Sequence, residues 1–353
     1  MVWPGNSRNR SASWTLYDPG AEMIEAFRPI ENYWYIACFS RELKSKPVSR
    51  TILGKPLVLF RTGEKPACLE DRCPHRNIAL SLGKVKKDGL QCSYHGWTFG
   101  ADGKCLRIPA ESESGARPAA RSLPAVESQG FIWVFLGDKV PGPVPEFPMF
   151  SAPRWQNWFM EREFDGSAFQ CIENFLDVPH TVFVHSGLFR TREGSDTTLS
   201  IVRNNQSVTA EFLNERQVDG LVGKLLVPAG SQAKHTDAFL MPSTTRVDYY
   251  FSEKRHFIVM SQCTPVDEYR TRVYTYMAFR FDPIAPIVRL IYAPLSSMIL
   301  NQDVRVIKKQ SDNIKRFGRE AFYFHQTDAI AREIREMMSG RKARSSHKKR
   351  IRA

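Results

Sequence analysis

Residues 73–97 read CPHRNIALSLGKVKKDGLQCSYHGW. Cys73 and His75 form C-x-H, Cys92 and His95 form C-x-x-H, and sixteen residues separate the two halves. Each half offers one thiolate and one imidazole from a tight turn, and Pro74 and Gly96 suit such turns because they punctuate the adjoining strands. A structural zinc site can use a set of two cysteines and two histidines. Zinc fingers, however, usually pair Cys with Cys and His with His, whereas both halves here are mixed. A [2Fe–2S] cluster with two thiolates on one iron and two imidazoles on the other demands such a mixed supply.

The flanking text sets this segment in a β domain. Short runs such as WYIACFS, TILGKPLVLFRTG and GFIWVFLG alternate with Gly, Pro and charged turns from Tyr33 to Gly137. Residues 140–148, VPGPVPEFP, carry four prolines and suit neither a regular helix nor a central strand, which places a domain boundary there. Residues 1–29 are polar and read as an N-terminal arm. The other cysteines (Cys38, Cys68, Cys105, Cys171 and Cys263) lie outside the two loops, and an odd total of seven is no disulfide framework. They are expected to be free structural thiols.

The second half mixes helix and strand. DAFLM, RVDYYF, HFIVMSQ and RVYTYMAFRF read as strands, and the pattern turns helical from Leu295 to Phe317. No repeat at solenoid spacing is present. The segment CIENFLDVPHTVFVHSG predicts a helix around Asn174 and brings Asp177, His180 and His185 together in sequence. Residues five apart on a regular helix diverge by about 140°. The two histidines share a metal only if the helix is distorted or ends between them, with Pro179 as the expected agent. In LNQDVRVIKKQSDNIKRF, the residues Leu300, Asp303, Val304, Ile307, Ser311 and Ile314 form one helical stripe. Asp303 therefore sits among core-facing positions, where a carboxylate needs a partner or a metal. Asp312 on the same helix has Lys308, Lys309, Lys315 and Arg316 three and four residues away and reads as a solvated ion-pairing residue.

The two constellations in this order resemble those of Rieske non-haem iron oxygenase alpha subunits, over residues from about 30 to 320. The second matches the family pattern N-x-x-D-x-x-H-x4-H at Asn174, Asp177, His180 and His185. NYWYIACFSRELKSKP and GFIWVFLGD are most similar to the group containing vanillate O-demethylase-like and pheophorbide a oxygenase-like enzymes. The resemblance implies an α+β chain: an N-terminal all-β Rieske [2Fe–2S] domain, then a helix-grip catalytic domain of curved antiparallel sheet and helices. The expected divisions are an arm over 1–29, the Rieske domain over 30–145, the catalytic domain over 146–338 and a basic tail over 339–353.

By the same resemblance, Cys73, His75, Cys92 and His95 hold the cluster, while His180, His185 and Asp303, in the Gln302–Asp303 context, hold a mononuclear Fe(II). Asp177 is implied to link His180 to His95 of a neighbouring subunit, and Asn174 either lies near the open iron position or caps and packs. The implied activity is oxidation by O2 of a small, mostly apolar and aromatic substrate, by monooxygenation or demethylation rather than cis-dihydroxylation. The implied partners are a separate NAD(P)H-dependent reductase or a ferredoxin, and further copies in a homotrimer. No G-x-G-x-x-G between strand and helix suggests a built-in nicotinamide or flavin domain. Phe239, Met241, Tyr250, Met260, Tyr274 and Tyr276 line a substrate pocket or fill the core.

Bulk properties exclude little more. The net charge is +13, but seven positive residues from Arg341 to Arg352 supply over half of it and read as a solvated, disordered tail. No nucleic-acid-binding module accompanies the charge, so nucleic acid is not an expected partner. No run approaches membrane-spanning length, and the N-terminal residues lack the apolar core of a secretory signal, so a cytoplasmic protein is expected.

Overall fold

The structure is a computed structural model of the chain, and it describes residues 30–109, 115–139, 141–188, 196–213, 233–341 and 347–352. The expected N-terminal arm over 1–29 lies outside the described residues.

The first part is all β. Strands β1 (Tyr33–Phe39), β10 (Ala125–Ser128) and β11 (Phe131–Leu136) form one antiparallel sheet in the order β1-β11-β10. A second sheet joins β2 (Val48–Ile52), β3 (Lys55–Thr62), β4 (Lys65–Glu70) and β9 (Ser122–Leu123). A third joins the short strands β5 (Lys84–Lys86), β6 (Gly89–Gln91), β7 (Thr98–Phe99) and β8 (Cys105–Arg107). Every residue of FIWVFL in β11 is buried, as expected of a strand covered on both faces. One face, with Ile132, Val134 and Leu136, packs on Tyr35, Leu57 and Leu59 inside the β domain. The other, with Phe131, Trp133 and Phe135, faces the second half of the chain.

The second part is built on a large antiparallel sheet. Among the described residues it has eight strands in the order β12-β18-β17-β16-β15-β14-β13-β19. Their ranges are β12 Gln156–Phe164, β13 Asp196–Arg203, β14 Ser207–Leu213, β15 Lys234–Leu240, β16 Thr244–Ser252, β17 Arg255–Asp267, β18 Arg270–Phe281 and β19 His347–Arg352. Alternation divides the two faces. Ile258, Met260, Tyr274 and Tyr276 pack on Trp34, Phe131 and Phe147 of the β domain. Phe257, Cys263, Val273, Met277 and Phe279 face helices instead. These helices are α1 (Ala168–Leu176), α2 (His180–Val184), α3 (Ala285–Phe317) and α4 (Ala329–Met338).

Two sequence expectations need correction. The long helix starts at Ala285 rather than Leu295: Pro286 suits the first turn, where the amide needs no partner, and the helix continues through Pro294. Ala285, Val288 and Tyr292 bury against Phe257 and Phe279, and that packing holds the extra turns despite the missing donor. The basic tail is also not simply solvated chain. Its residues 347–352 form β19, whose backbone pairs with β13 from Asp196 to Ile201 and closes that edge of the sheet.

Candidate metal centres

The four residues of the first constellation come together on two loops of one design. The Cys73 amide donates to the Ile78 carbonyl at 2.8 Å and the Asn77 amide donates back to the Cys73 carbonyl at 2.8 Å. In the second loop, the Cys92 amide donates to the Trp97 carbonyl at 2.8 Å and the Gly96 amide to the Cys92 carbonyl at 3.2 Å. The closing residue of each loop has positive φ, 60° at Asn77 and 73° at Gly96. Gly adopts that conformation without strain and Asn at small cost, which is why these types stand there. Asn77 also accepts a hydrogen bond from the Arg72 guanidinium at 2.7 Å. Sequence reading found the glycine but not the asparagine.

The loops sort their side chains by depth. Both thiols are buried, Cys73 at 1% and Cys92 at 3% exposed, while His95 is exposed and the His75 and His95 rings meet at 4.5 Å between centroids. Trp97 stacks on His75 at 4.3 Å, and Tyr94 lies against His95 at 3.9 Å. A pair of thiolates below a pair of imidazoles fits a cluster whose two irons differ in ligation, the thiolate iron inward and the imidazole iron toward the surface.

The second constellation is assembled by three short pieces of chain. Ser167 caps α1 with a reciprocal pair: its Oγ accepts from the Gln170 amide, and Gln170 Oε1 accepts from the Ser167 amide. The helix ends at Asp177, and Pro179 opens the separate five-residue helix α2. Pro179 therefore breaks the chain before both histidines, not between them. The change of direction between them comes where α2 ends, with His185 at its C-terminal cap. Asp303 comes from the buried stripe of α3.

Three acceptor atoms converge there. His185 Nε2 lies 3.0 Å from Asp303 Oδ1, His180 Nε2 lies 3.7 Å from it, and the two Nε2 atoms are 3.3 Å apart. The other ring nitrogens are engaged. His180 Nδ1 is held by the Asp177 main-chain carbonyl, and His185 Nδ1 meets Gln302 Oε1 at 2.8 Å. Both partners are acceptors, so each Nδ1 carries the hydrogen and each Nε2 presents a lone pair. Lone pairs facing each other and a carboxylate, in a buried place, are stable only around a cation or a shared proton. Asp303 Oδ1 and Asn174 Nδ2 are buried without a hydrogen bond of acceptable geometry. Ligands bound at about 2.1 Å and at right angles stand about 3 Å apart, so the observed spacing fits a facial triad.

The electrostatics agree. Burial works to raise the Asp303 pKa, but the imidazoles of His180 and His185 and the Asn174 amide outweigh it and hold the carboxylate below its ordinary range. For His180, burial is overcome by Asp303 and Asp177, which raise its pKa. Burial raises that of Asp177, against the attraction of His180. The Asp177 carboxylate is 3.8 Å from His180 Nδ1 and its side chain stays 37% exposed. Gln302, which aims His185, was visible in sequence only as the neighbour of Asp303.

The triad opens into a cavity of about 960 Å³, part of it continuous with solvent, between the helix-facing side of the large sheet and α1, α2 and α3. Its floor is Thr245, Val247, Tyr249, Val259, Ser261 and Met277. None of the expected pocket residues Phe239, Met241, Tyr250, Met260, Tyr274 and Tyr276 lines it. On β16, β17 and β18 the floor is the opposite face from Tyr250, Met260, Tyr274 and Tyr276. Both faces of β17 and β18 are apolar, one for the β domain and one for the helices, so alternation gave no cue.

Comparison with known proteins follows the same division. The Rieske [2Fe–2S] domain family matches residues 33–129, and the vanillate O-demethylase oxygenase C-terminal domain family matches residues 164–344. The oxygenase component of dicamba O-demethylase from Stenotrophomonas maltophilia is 34% identical over 62% of this chain and 62% of its own. The vanillate O-demethylase oxygenase subunit of a Pseudomonas strain is 31% identical over 52% of this chain and 53% of its own. Chloroplastic chlorophyllide a oxygenase of Chlamydomonas reinhardtii is 27% identical over 84% of this chain and 46% of its own. Each match thus spans less than two thirds of the curated relative. The crystal structure of dicamba monooxygenase bound to dicamba shares the fold, with a TM-score of 0.73 at 24% identity over 88% of this chain and 97% of that one.

Proposed function

The chain belongs to the vanillate O-demethylase type of Rieske oxygenase, and from that premise we propose that it is an oxygenase component that monooxygenates or demethylates a small aromatic substrate. The observation that carries the reading is the convergence of His180, His185 and Asp303 at the end of a largely apolar cavity. When bound, a [2Fe–2S] cluster at Cys73, His75, Cys92 and His95 supplies one-electron transfer, and Fe(II) at the triad supplies activation of O2.

The chain's own residues set the conditions for that chemistry. The Asp177 carbonyl and Gln302 fix the ring orientation of His180 and His185, so that both Nε2 atoms are ready without a rotamer search. Three protein ligands would leave a bound Fe(II) with positions for O2, and Asn174 supplies a side-chain amide to the described lining of the same cavity. Val247, Val259 and Met277 exclude water from the substrate's place and orient a flat apolar body against the triad. Electrons come from a separate reductase or ferredoxin. The exposed His95 and half-buried Asp177 fit an assembly, a homotrimer in our reading, in which one subunit's cluster serves the next subunit's triad.

The test reduces the iron-loaded protein without air, admits O2 with each member of an aromatic ether and alkyl-arene panel, and follows the visible absorbance of the cluster. Reoxidation accelerated by particular substrates, with formation of a hydroxylated or demethylated product, is expected. A reducible cluster that no substrate accelerates, at full iron occupancy, would count against oxygenation. A colourless protein after reconstitution with iron and sulfide would remove the proposal.

A further inference from the structure

Resting on the oxygenase reading of this cavity, we propose that its substrate is an aromatic molecule with a carbonyl-type hydrogen-bond acceptor at the end remote from the triad, and that the hydroxyls of Thr245, Ser261 and Thr275 select that end. The strand register brings the three together. Thr245 of β16 is directly opposite Ser261 of β17, Ser261 is directly opposite Thr275 of β18, and all of them line the cavity. They are 2%, 3% and 3% exposed. The rows on either side are apolar, with Val247, Val259 and Met277 on one and Cys263 and Val273 on the other. A hydroxyl in such a place costs about 1–3 kcal/mol unless it is hydrogen-bonded. Valine has nearly the shape of threonine and would pack there without that cost, so packing alone does not account for the row.

The hydrogens of the row do not balance within the protein. Each hydroxyl brings one hydrogen and can also accept. Ser261 Oγ and Thr275 Oγ1 lie 3.0 Å apart, so one hydrogen is used between them. The Thr245 hydroxyl makes no hydrogen bond among the described residues. One hydrogen on Thr245 and one on the Ser261–Thr275 pair are therefore left without a protein acceptor there. Unmatched hydrogens are rarer in folded interiors than unmatched lone pairs. A carbonyl oxygen has two lone pairs and can answer two donors at once.

Helix α3 sets the distance from the row to the triad. Met160 is opposite Thr275 across β12 and β18, and the Ser296 hydroxyl donates to Met160 Sδ at 3.6 Å. The row therefore lies at the level of Ser296. Asp303 follows on the same buried stripe of the helix, and both residues line the cavity. The two are about two turns, or about 10 Å, apart along the axis. That separation has room for one aromatic ring between the acceptor group and the substituent to be oxidised.

The experiment is calorimetric binding to the full chain carrying cluster and iron, without air. The probes are para-methoxyacetophenone, para-methoxybenzoate and para-isopropenylanisole, in which a methylene group replaces the carbonyl oxygen of the first. The tighter of the two carbonyl probes is expected to bind about tenfold better than the isopropenyl compound, or more, and its identity tells a neutral acceptor group from an ionised one. Thr245→Val and Ser261→Ala are each expected to cut that preference to about threefold or less, while Thr245→Ser, which keeps the hydroxyl, retains it. Equal or tighter binding of the isopropenyl compound, no binding of any probe, or a preference untouched by both Thr245→Val and Ser261→Ala overturns the proposal. In a coloured, reducible protein those results leave the oxygenase reading standing. A protein that forms no cluster overturns both.

Discussion

Two ring nitrogens that touch no ligand position govern the iron site. His185 is aimed by the amide oxygen of Gln302, next in sequence to the proposed ligand Asp303, so one turn of α3 supplies both a proposed ligand and the orientation of another. Gln302→Ala leaves all three ligands in place and frees the imidazole to rotate. Iron affinity at the triad is expected to fall by about tenfold or more, with cluster absorbance unchanged, as measured by chelator competition and iron content. Unaltered affinity would show that packing alone holds the ring. Nearby, burial and the charges of Asp177 and Asp328 push the Glu173 carboxyl up to about 7, with Arg335 only partly opposing them. A raised carboxyl pKa stabilises the fold below its ordinary value of 4.5, and that contribution is lost as pH rises through about 7. Between pH 5 and 8, the Tm of the parent should therefore fall relative to Glu173→Gln, by about 3 °C; parallel pH profiles would show that Glu173 ionises as freely as in water. Asp303 was legible in the sequence because a carboxylate on a buried stripe needs a reason, whereas Gln302 was not, because a neutral amide beside it has many uses.

At the scale of elements, the triad depends on the spacing between α1 and α3. Gly166, in the link from β12 to α1, permits their close approach: a Cβ there would lie 2.3 Å from Ile307 Cγ2 and 3.3 Å from Ser311 Oγ. Gln170 on α1 then reaches Gln310 at 2.8 Å and accepts from Ser311 at 3.1 Å. Gly166→Ala should push the two helices apart, costing about 1–3 kcal/mol of stability by overpacking and weakening iron binding with it. Chemical denaturation and iron titration of the same variant check both effects, and normal iron affinity in a destabilised protein would uncouple them. The sequence showed the existence of these helices through their 3.6-residue pattern, but not the start of α3. Pro294 reads locally as a stop, and only the burial of Tyr292 and Val288 against strands far away in sequence explains why the helix passes through it. The cavity floor was hidden for a related reason, since both sides of β17 and β18 are apolar and alternation cannot say which side meets helices.

In the whole molecule, the β domain is locked onto the back of the large sheet. Trp34, Phe131 and Phe147 share a core with Met260, Tyr274 and Tyr276, and the Tyr274 hydroxyl donates to the Ala37 carbonyl at 2.8 Å. The cluster loops and the triad are thereby held in fixed relation within each chain: the cluster loops reach its surface at His95, beside the 62% exposed Tyr94, and the half-buried Asp177 lies between the surface and the buried triad, beside His180. If Asp177 bridges to a neighbour's His95, its carboxylate belongs to the electron path and not to the iron ligand set. Asp177→Asn separates the two roles, because it keeps the main-chain carbonyl that orients His180 and removes the charge. Iron content and cluster absorbance should match the parent, while single-turnover reoxidation of the reduced cluster by O2 with substrate slows by about tenfold or more. Loss of iron would make Asp177 a support for His180 only, and an unchanged rate would direct the electron through other contacts. A slowed rate with both centres full would place the Asp177 carboxylate on the electron path rather than among the supports of the iron.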